Sequence, residues 1–256
     1  MLAFQLHQLA LLISSLKPIE VYPLFFVQQR FVIQLKNVIP LRNFIWNCIT
    51  CIVAVNTLFI RLIEVMENIE YFDKYEERLT ELLVQQCTAL GMMDGQLLAA
   101  EELEDKWKEM APEYMVNAVP QIQEYPTVSV AWAGYIGLGI AVLWDKDWEK
   151  YKDNSALYKV FVDPRGFDCM DEYIMEELLG VGLESKEYAE IEGVMRSCGK
   201  TAVGMIRKEN IEPQSPDAFY VFARSVKVLF KVGVSIALKR LGYKYQKVTV
   251  DKKFDC

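Results

Sequence analysis

The sequence predicts an all-α fold, a single irregular helical bundle of six or seven helices after a hydrophobic N-terminal leader. Two observations carry the prediction. From Met66 onward, apolar residues recur at three- and four-residue spacing, which is the period of an amphipathic helix. Glycine, proline and serine residues divide this pattern at helical lengths, and the one strand-like stretch, near the C-terminus, lacks a partner segment. The expected organisation is a leader at 1–65, an all-helical globular domain at 66–242 and a basic C-terminal tail at 243–256.

Two helices are predicted at the start of the domain, on either side of a break between Gly91 and Gly95. Asp94 is placed to cap the second helix, which we expect to end at Ala111–Pro112 because proline lacks the backbone N–H. A short irregular helical piece is expected over 112–124. The residues expected to face the core are Ile69, Phe72, Tyr75, Leu79, Leu82, Gln86 and Leu90 in the first helix, and Leu97, Ala100, Leu103, Trp107 and Met110 in the second.

The segment 126–144 contains no charged residue and is long enough either to cross a membrane or to form a buried core helix. Small residues recur at every fourth position and would form a ridge against which another helix packs closely, in either setting. The charged stretch DKDWEKYKD that follows favours a core helix. The ridge consists of Ser129, Ala133, Gly137 and Ala141.

Three more helices are predicted in the C-terminal half. The first follows a turn at 163–166 and ends at Gly180, and the second begins at Ser185. The third opens at Ser215–Pro216 and ends at Gly242. The inward residues of the last two are expected to be Tyr188, Ile191, Met195, Cys198, Ala202 and Met205, and then Phe219, Phe222, Val226, Leu229, Phe230, Ala237 and Leu241.

The leader at 1–65 is apolar and has no sustained helical or strand period. It is consistent with a membrane anchor at Phe44–Ile60, although Asn47 and Asn56 would be costly in hydrocarbon. A signal peptide, an over-long gene assignment with Met66 as the true start, and a soluble extension are the other interpretations. Composition favours the gene-assignment interpretation.

Histidine and cysteine usage excludes several classes of enzyme. His7 is the only histidine, which argues against serine and cysteine hydrolases and against histidine-rich metal centres. The six cysteines are scattered apart from Cys48 and Cys51, whose C-x-x-C spacing has no second pair to complete a zinc site. The remaining thiols are typical of reduced, buried cysteines. The sequence therefore predicts no catalytic constellation, no cofactor and no metal site.

Gly199-Lys200-Thr201 matches the end of a phosphate-binding P-loop. A P-loop needs four residues between its first glycine and the Gly-Lys pair, whereas Gly193 lies five residues before Gly199. The apolar period also passes through the motif without a break. The sequence therefore predicts that Lys200 lies on the solvated face of an ordinary helix.

Charge is distributed unevenly along the chain. Residues 66–217 contain 14 basic and 31 acidic side chains, while residues 218–256 contain nine basic and two acidic ones. The last predicted helix, which opens at Ser215–Pro216, is therefore basic. A basic helix either binds an anionic partner or packs against the acidic helices of its own chain. The candidate partner-binding residues are Arg224, Lys227, Lys231, Lys239 and Arg240.

These observations favour a cytoplasmic, non-enzymatic helical binding or interaction protein. The expected partner is an acidic protein, a nucleic-acid backbone or an anionic membrane surface, contacted through residues 218–247. One alternative is a membrane-associated protein held by residues 44–60. A second is an enzyme that acts on a phosphorylated substrate without histidine chemistry, in which case Lys200 is the residue to test.

Overall fold

The described part of the chain, residues 68–244 of a computed structural model, consists of helices and connecting turns without a β-strand. This confirms the predicted all-α bundle. Eight α-helices occur in this part: α1 at 68–89, α2 at Glu101–Gln121, α3 at Pro126–Lys146, α4 at Trp148–Tyr151, α5 at Leu157–Val162, α6 at Met170–Tyr173, α7 at Lys186–Lys208 and α8 at Pro216–Arg240. A 3-10 helix at Phe167–Cys169 precedes α6, and a π-helical segment at Ile174–Leu178 follows it.

Helix α3 lies at the centre of the bundle and packs along α8 and α7. All four residues of the predicted small-residue ridge are buried. Gly137 packs directly against the backbone of α8, and Gly233 of α8 packs directly against the backbone at Gly134. The two helices therefore cross with their backbones in close contact. Within residues 68–244, α3 is the one helix whose length and apolar composition would allow it to cross a membrane, and most of it is buried by its neighbours. The candidate anchor at 44–60 and the rest of the leader lie outside the described residues.

The predicted inward line of α1 is correct over its first half and wrong over its second. Tyr75 and Leu79 are fully buried, as expected, but the line then continues through Leu83 and Cys87. Leu82 and Leu90, which we expected inside, are about half exposed. The sulfur of Cys87 meets that of Cys198 in α7 at 3.4 Å, while partly buried Gln86 contacts α7 through polar bonds to Ser197 and Thr201.

Helix α2 differs from its prediction at both ends. Ala100 occupies the N-cap position, whereas Asp94 forms an ion pair with Lys239 across 2.7 Å. The helix also continues through Pro112 and Pro120 to Gln121. Both prolines lie on the exposed side of α2, where water can bond the carbonyl oxygens that lose an N–H partner.

The two long C-terminal helices begin where the sequence predicts. The hydroxyl oxygen of Ser185 accepts a hydrogen bond from the Tyr188 amide, and that of Ser215 accepts one from the Ala218 amide, both at 3.1 Å. The predicted core residues of both helices are buried or partly buried with one exception. Phe219 is about half exposed because the first turn of α8 extends beyond the core.

Candidate functional site

The basic face of α8 is paired with carboxylates of α1 and α2. Arg224 bonds Asp73 at 2.8 Å and Glu76 at 2.6 Å, and Lys227 lies 2.8 Å from Glu76. Lys227 also lies 3.4 Å from Glu104. Lys231 forms an ion pair with the same carboxylate. We call this set of three cations and three carboxylates the charged seam: Asp73, Glu76, Glu104, Arg224, Lys227 and Lys231.

Glu76 lies at the centre of the charged seam, and its side chain is only 16% exposed. Its burial acts to raise its pKa, but the charges and hydrogen bonds of Lys227 and Arg224 outweigh this effect, so the pKa lies below its ordinary value. Glu76 is therefore ionised at neutral pH and joins α1 to α8.

The other two candidate cations are also paired within the chain. Lys239 contacts Asp94 at 2.7 Å and donates to the backbone carbonyl of Met93 at 3.2 Å. Arg240 contacts Glu187 at 2.5 Å and the backbone carbonyl of Leu179 at 3.3 Å. An anionic partner would have to displace these contacts, so the geometry favours the interpretation in which the basic helix packs against its own acidic neighbours.

This internal pairing leaves an acidic exterior. Residues 68–244 contain 20 basic and 30 acidic side chains, a balance of −10. The carboxylates that neutralise α8 are only five of the thirty. The remaining surface therefore attracts positive rather than negative charge.

The Gly-Lys-Thr motif lies inside α7 and has a packing role. A β-carbon on Gly199 would lie 2.7 Å from the carbonyl oxygen of Thr127, so the glycine allows α7 to approach α3. The Thr201 hydroxyl donates to the side-chain oxygen of Gln86 at 2.8 Å, and Lys200 is exposed. The amides around this motif are committed to the helix and do not surround a phosphate.

A cleft of about 420 Å³ lies between α2 and the junction of α3 with α4. Trp144 and Trp148 form one wall with their rings in an edge-to-face arrangement, with centroids 4.9 Å apart. The indole nitrogen of Trp144 is buried and has no hydrogen-bond partner among the described residues. The other lining residues are charged: Glu102, Asp105, Lys106, Glu109, Lys152 and Asp153. We call this the tryptophan cleft.

The tryptophan cleft has more negative than positive charge. Buried Lys106 donates to Glu109 at 2.6 Å and to the carbonyl oxygen of Asn154 at 3.1 Å, which fixes one cation in the wall. Lys152 contacts Glu149 at 2.7 Å, and the hydrogen bond between them raises the pKa of Lys152. The cations of the cleft are thus already paired with carboxylates of the chain. The aromatic faces and other carboxylates of the cleft remain available to contact a ligand.

A second cleft, of about 460 Å³, lies beside the π-helical segment. Lys146 and Arg165 line it together with Tyr151 and Tyr173. Arg165 contacts Glu176 at 2.6 Å and also lies within 4 Å of Glu172 and Glu177. Its charge is therefore more than compensated, and the cleft offers little net attraction to an anion.

Sequence reasoning missed the tryptophan cleft. Its acidic side is formed by residues 102–109 of α2 and its aromatic side by residues 144–148, and only the fold brings them together. The signal that could have found it is the charged segment DKDWEKYKD, whose acidic residues flank an exposed tryptophan. Comparison with known proteins found no matching family model, curated protein or solved structure.

Proposed function

We propose that this chain is a helical interaction protein that binds a basic segment of a partner protein at the tryptophan cleft. The class of protein is the one that the sequence favours, but the charge of the partner is opposite to the expected one. The observation that carries the proposal is the juxtaposition of Trp144 and Trp148 with the acidic side of α2.

Two properties of the cleft support a cationic group. Tryptophan presents the aromatic face that attracts a lysine ammonium or an arginine guanidinium most strongly. Glu102 and Asp153 line the same cleft, and neither forms an ion pair with another described residue. They are therefore available to neutralise an incoming cation. The volume of the cleft falls within the range of sites that take a side chain or a small ligand.

The overall charge supports the same proposal at longer range. With a balance of −10 over the described residues, the exterior would steer a basic partner toward the cleft. Salt should slow this association because it screens charges at a distance. The cytoplasmic location expected from the sequence remains a prediction.

The test is binding of a labelled peptide of lysine, arginine and glycine to the full chain, followed by fluorescence anisotropy. The control peptide has glutamine in place of each basic residue. We expect saturable binding of the basic peptide only. Trp148→Ala, and separately Glu102→Gln with Asp153→Asn, should each weaken binding about fivefold, the effect of losing roughly 1 kcal/mol of cation–π or ionic attraction.

A matched variant separates the cleft from the general acidity of the surface. Glu77→Gln with Glu81→Gln removes the same charge from exposed positions of α1, away from the cleft. This variant should bind the peptide almost as the unmodified chain does. Equal loss in both double variants would show that net charge alone attracts the peptide and would contradict the proposed site. Failure of the basic peptide to bind would do so as well.

A further inference from the structure

Cys87 of α1 and Cys198 of α7 bring their sulfur atoms within 3.4 Å of each other in the core. Both thiols are free, and both residues are fully buried. A disulfide has a sulfur–sulfur distance of about 2.05 Å, so a shift of little more than 1 Å would bring the two atoms to bonding distance. The two residues lie 111 positions apart in the sequence.

We infer that Cys87 and Cys198 form a reversible disulfide that joins α1 to α7 when the protein meets an oxidant. The oxidant is a hydroperoxide or a small disulfide such as oxidised glutathione. This inference rests on the core geometry alone and is independent of the proposed tryptophan cleft.

Access to the buried pair is available at the end of α1. Cys87 lies in the last turn of that helix, which ends at residue 89 and is followed by Gly91 with φ +72°. The last turn of a helix opens at a lower free-energy cost than its centre. Beside the buried Cys87, this turn is bound to α7 by polar contacts: the Gln86 amide donates to the Ser197 hydroxyl at 2.8 Å and accepts from Thr201. Local opening there would expose Cys87 while α7 keeps its place.

The two thiols have different roles in the reaction. A hydrogen bond from Cys198 lowers the pKa of Cys87, while the pKa of Cys198 is raised by its bond to Cys87 and by burial. Because opening of the last turn of α1 exposes Cys87, its thiolate attacks the peroxide oxygen, gives a sulfenic acid and, after proton transfer, releases water from hydrogen peroxide or an alcohol from an organic hydroperoxide. The Cys198 sulfur then attacks the Cys87 sulfur and a water molecule leaves. Two thiols are oxidised and one peroxide is reduced. With oxidised glutathione, the Cys87 thiolate forms a mixed disulfide and releases one glutathione thiol, and Cys198 then displaces the second, so that two thiols are oxidised and one disulfide is reduced.

The test is peptide mapping of the folded full chain after treatment with hydrogen peroxide or oxidised glutathione. Remaining thiols are alkylated before digestion without reductant. We expect a cross-linked peptide pair that contains Cys87 and Cys198 and that dithiothreitol separates. Because the bond closes a long loop, the midpoint of thermal unfolding should rise by about 5 °C or more.

Cys169 provides the internal control because it is a partly exposed thiol in the same chain. Cys169→Ser should keep the cross-link, whereas Cys87→Ser and Cys198→Ser should each abolish it. Oxidation of Cys169 in a sample where Cys87 and Cys198 both remain free thiols would overturn the inference. So would a cross-link that joins either residue to another cysteine. Peptide mapping of the unmodified chain shows whether Cys87 and Cys198 are cross-linked even if a serine variant fails to fold.

Discussion

Gly137 of α3 lies against the backbone carbonyl of Phe230 in α8 so closely that a β-carbon has no space between them. Such an atom would also lie 2.8 Å from the Val234 amide nitrogen. Backbone atoms of a central helix cannot move aside as a flexible side chain can. Gly137→Ala should therefore lower the free energy of unfolding by about 1 to 3 kcal/mol through overpacking, measured by denaturant titration.

Gly193→Ala is the matched control for this substitution. Gly193 also lies inside a long helix, but it is exposed and a β-carbon there would meet no atom within 4 Å. Alanine is the better helix former by roughly 0.5 to 1 kcal/mol, so this variant should be slightly more stable. Equal behaviour of the two variants would show that α3 and α8 do not cross at Gly137.

Glu76→Gln should destabilise the protein by about 2 kcal/mol because it leaves the half-buried cations of the charged seam without their shared carboxylate. The neighbouring Glu77→Gln is the control, since Glu77 is exposed. Chemical denaturation of both variants at neutral pH measures the difference. A loss no larger than that of Glu77→Gln would mean that the seam contributes nothing measurable.

The same carboxylate predicts how stability depends on pH. The pKa of Glu76 in the folded chain lies below the ordinary 4.5 that it regains on unfolding. Its stabilising contribution is therefore fully present above that value and is lost as the pH falls through the folded pKa. The difference in unfolding free energy between the unmodified chain and Glu76→Gln should be constant from neutral pH down to about 4.5 and should shrink below it. A difference that shrinks on the alkaline side instead would contradict this assignment.

Local signals predicted those parts of the fold that depend on neighbours in sequence. The caps at Ser185 and Ser215 are each set by a side chain three residues before the amide that it binds, and they occur as expected. Gly137 was identified because small residues recur at helical spacing around it. These features need no knowledge of which helix lies opposite.

Features that depend on distant residues could not be predicted in this way. The pairing of Arg224 with Glu76 joins residues 148 positions apart, and nothing in either segment specifies the other. The burial of Leu83 and Cys87 in place of Leu82 and Leu90 likewise depends on which helices pack against α1. Pro112 was expected to end α2, but its exposed position allows water to take the place of the missing bond.

Residues Gly199 to Thr201 should not bind a nucleotide. Lys200→Ala should leave the unfolding free energy within about 0.5 kcal/mol of the unmodified chain, because this side chain is exposed. Gly199→Ala should destabilise the fold, since its β-carbon would press on the Thr127 carbonyl oxygen. Calorimetric titration with ATP and GTP completes the test. Saturable binding in the micromolar range that Lys200→Ala abolishes would refute the packing role of this motif. It would instead favour the alternative interpretation, an enzyme that acts on a phosphorylated substrate.

Reversal of charge along α8 distinguishes a structural seam from a partner-binding surface. Replacing Arg224, Lys227 and Lys231 by glutamate places three like charges against Asp73, Glu76 and Glu104, so the fold should lose about 3 kcal/mol or more. If these three residues formed a partner-binding surface instead, the reversal would leave the free energy of unfolding nearly unchanged and would weaken only the binding of the partner.

A second set of substitutions tests whether the loss comes from these pairs. Replacing the three carboxylates of the seam by lysine in the reversed chain restores opposite charges across it, and a large part of the lost stability should return. Reversing the exposed Lys146, Lys159 and Lys200 changes the net charge equally without touching the seam, and should have a much smaller effect. Unfolding free energies of the four chains provide the comparison. If the reversed chain is as stable as the unmodified one, the cations of α8 are not committed to the bundle, and an anionic partner becomes the better explanation of the basic helix.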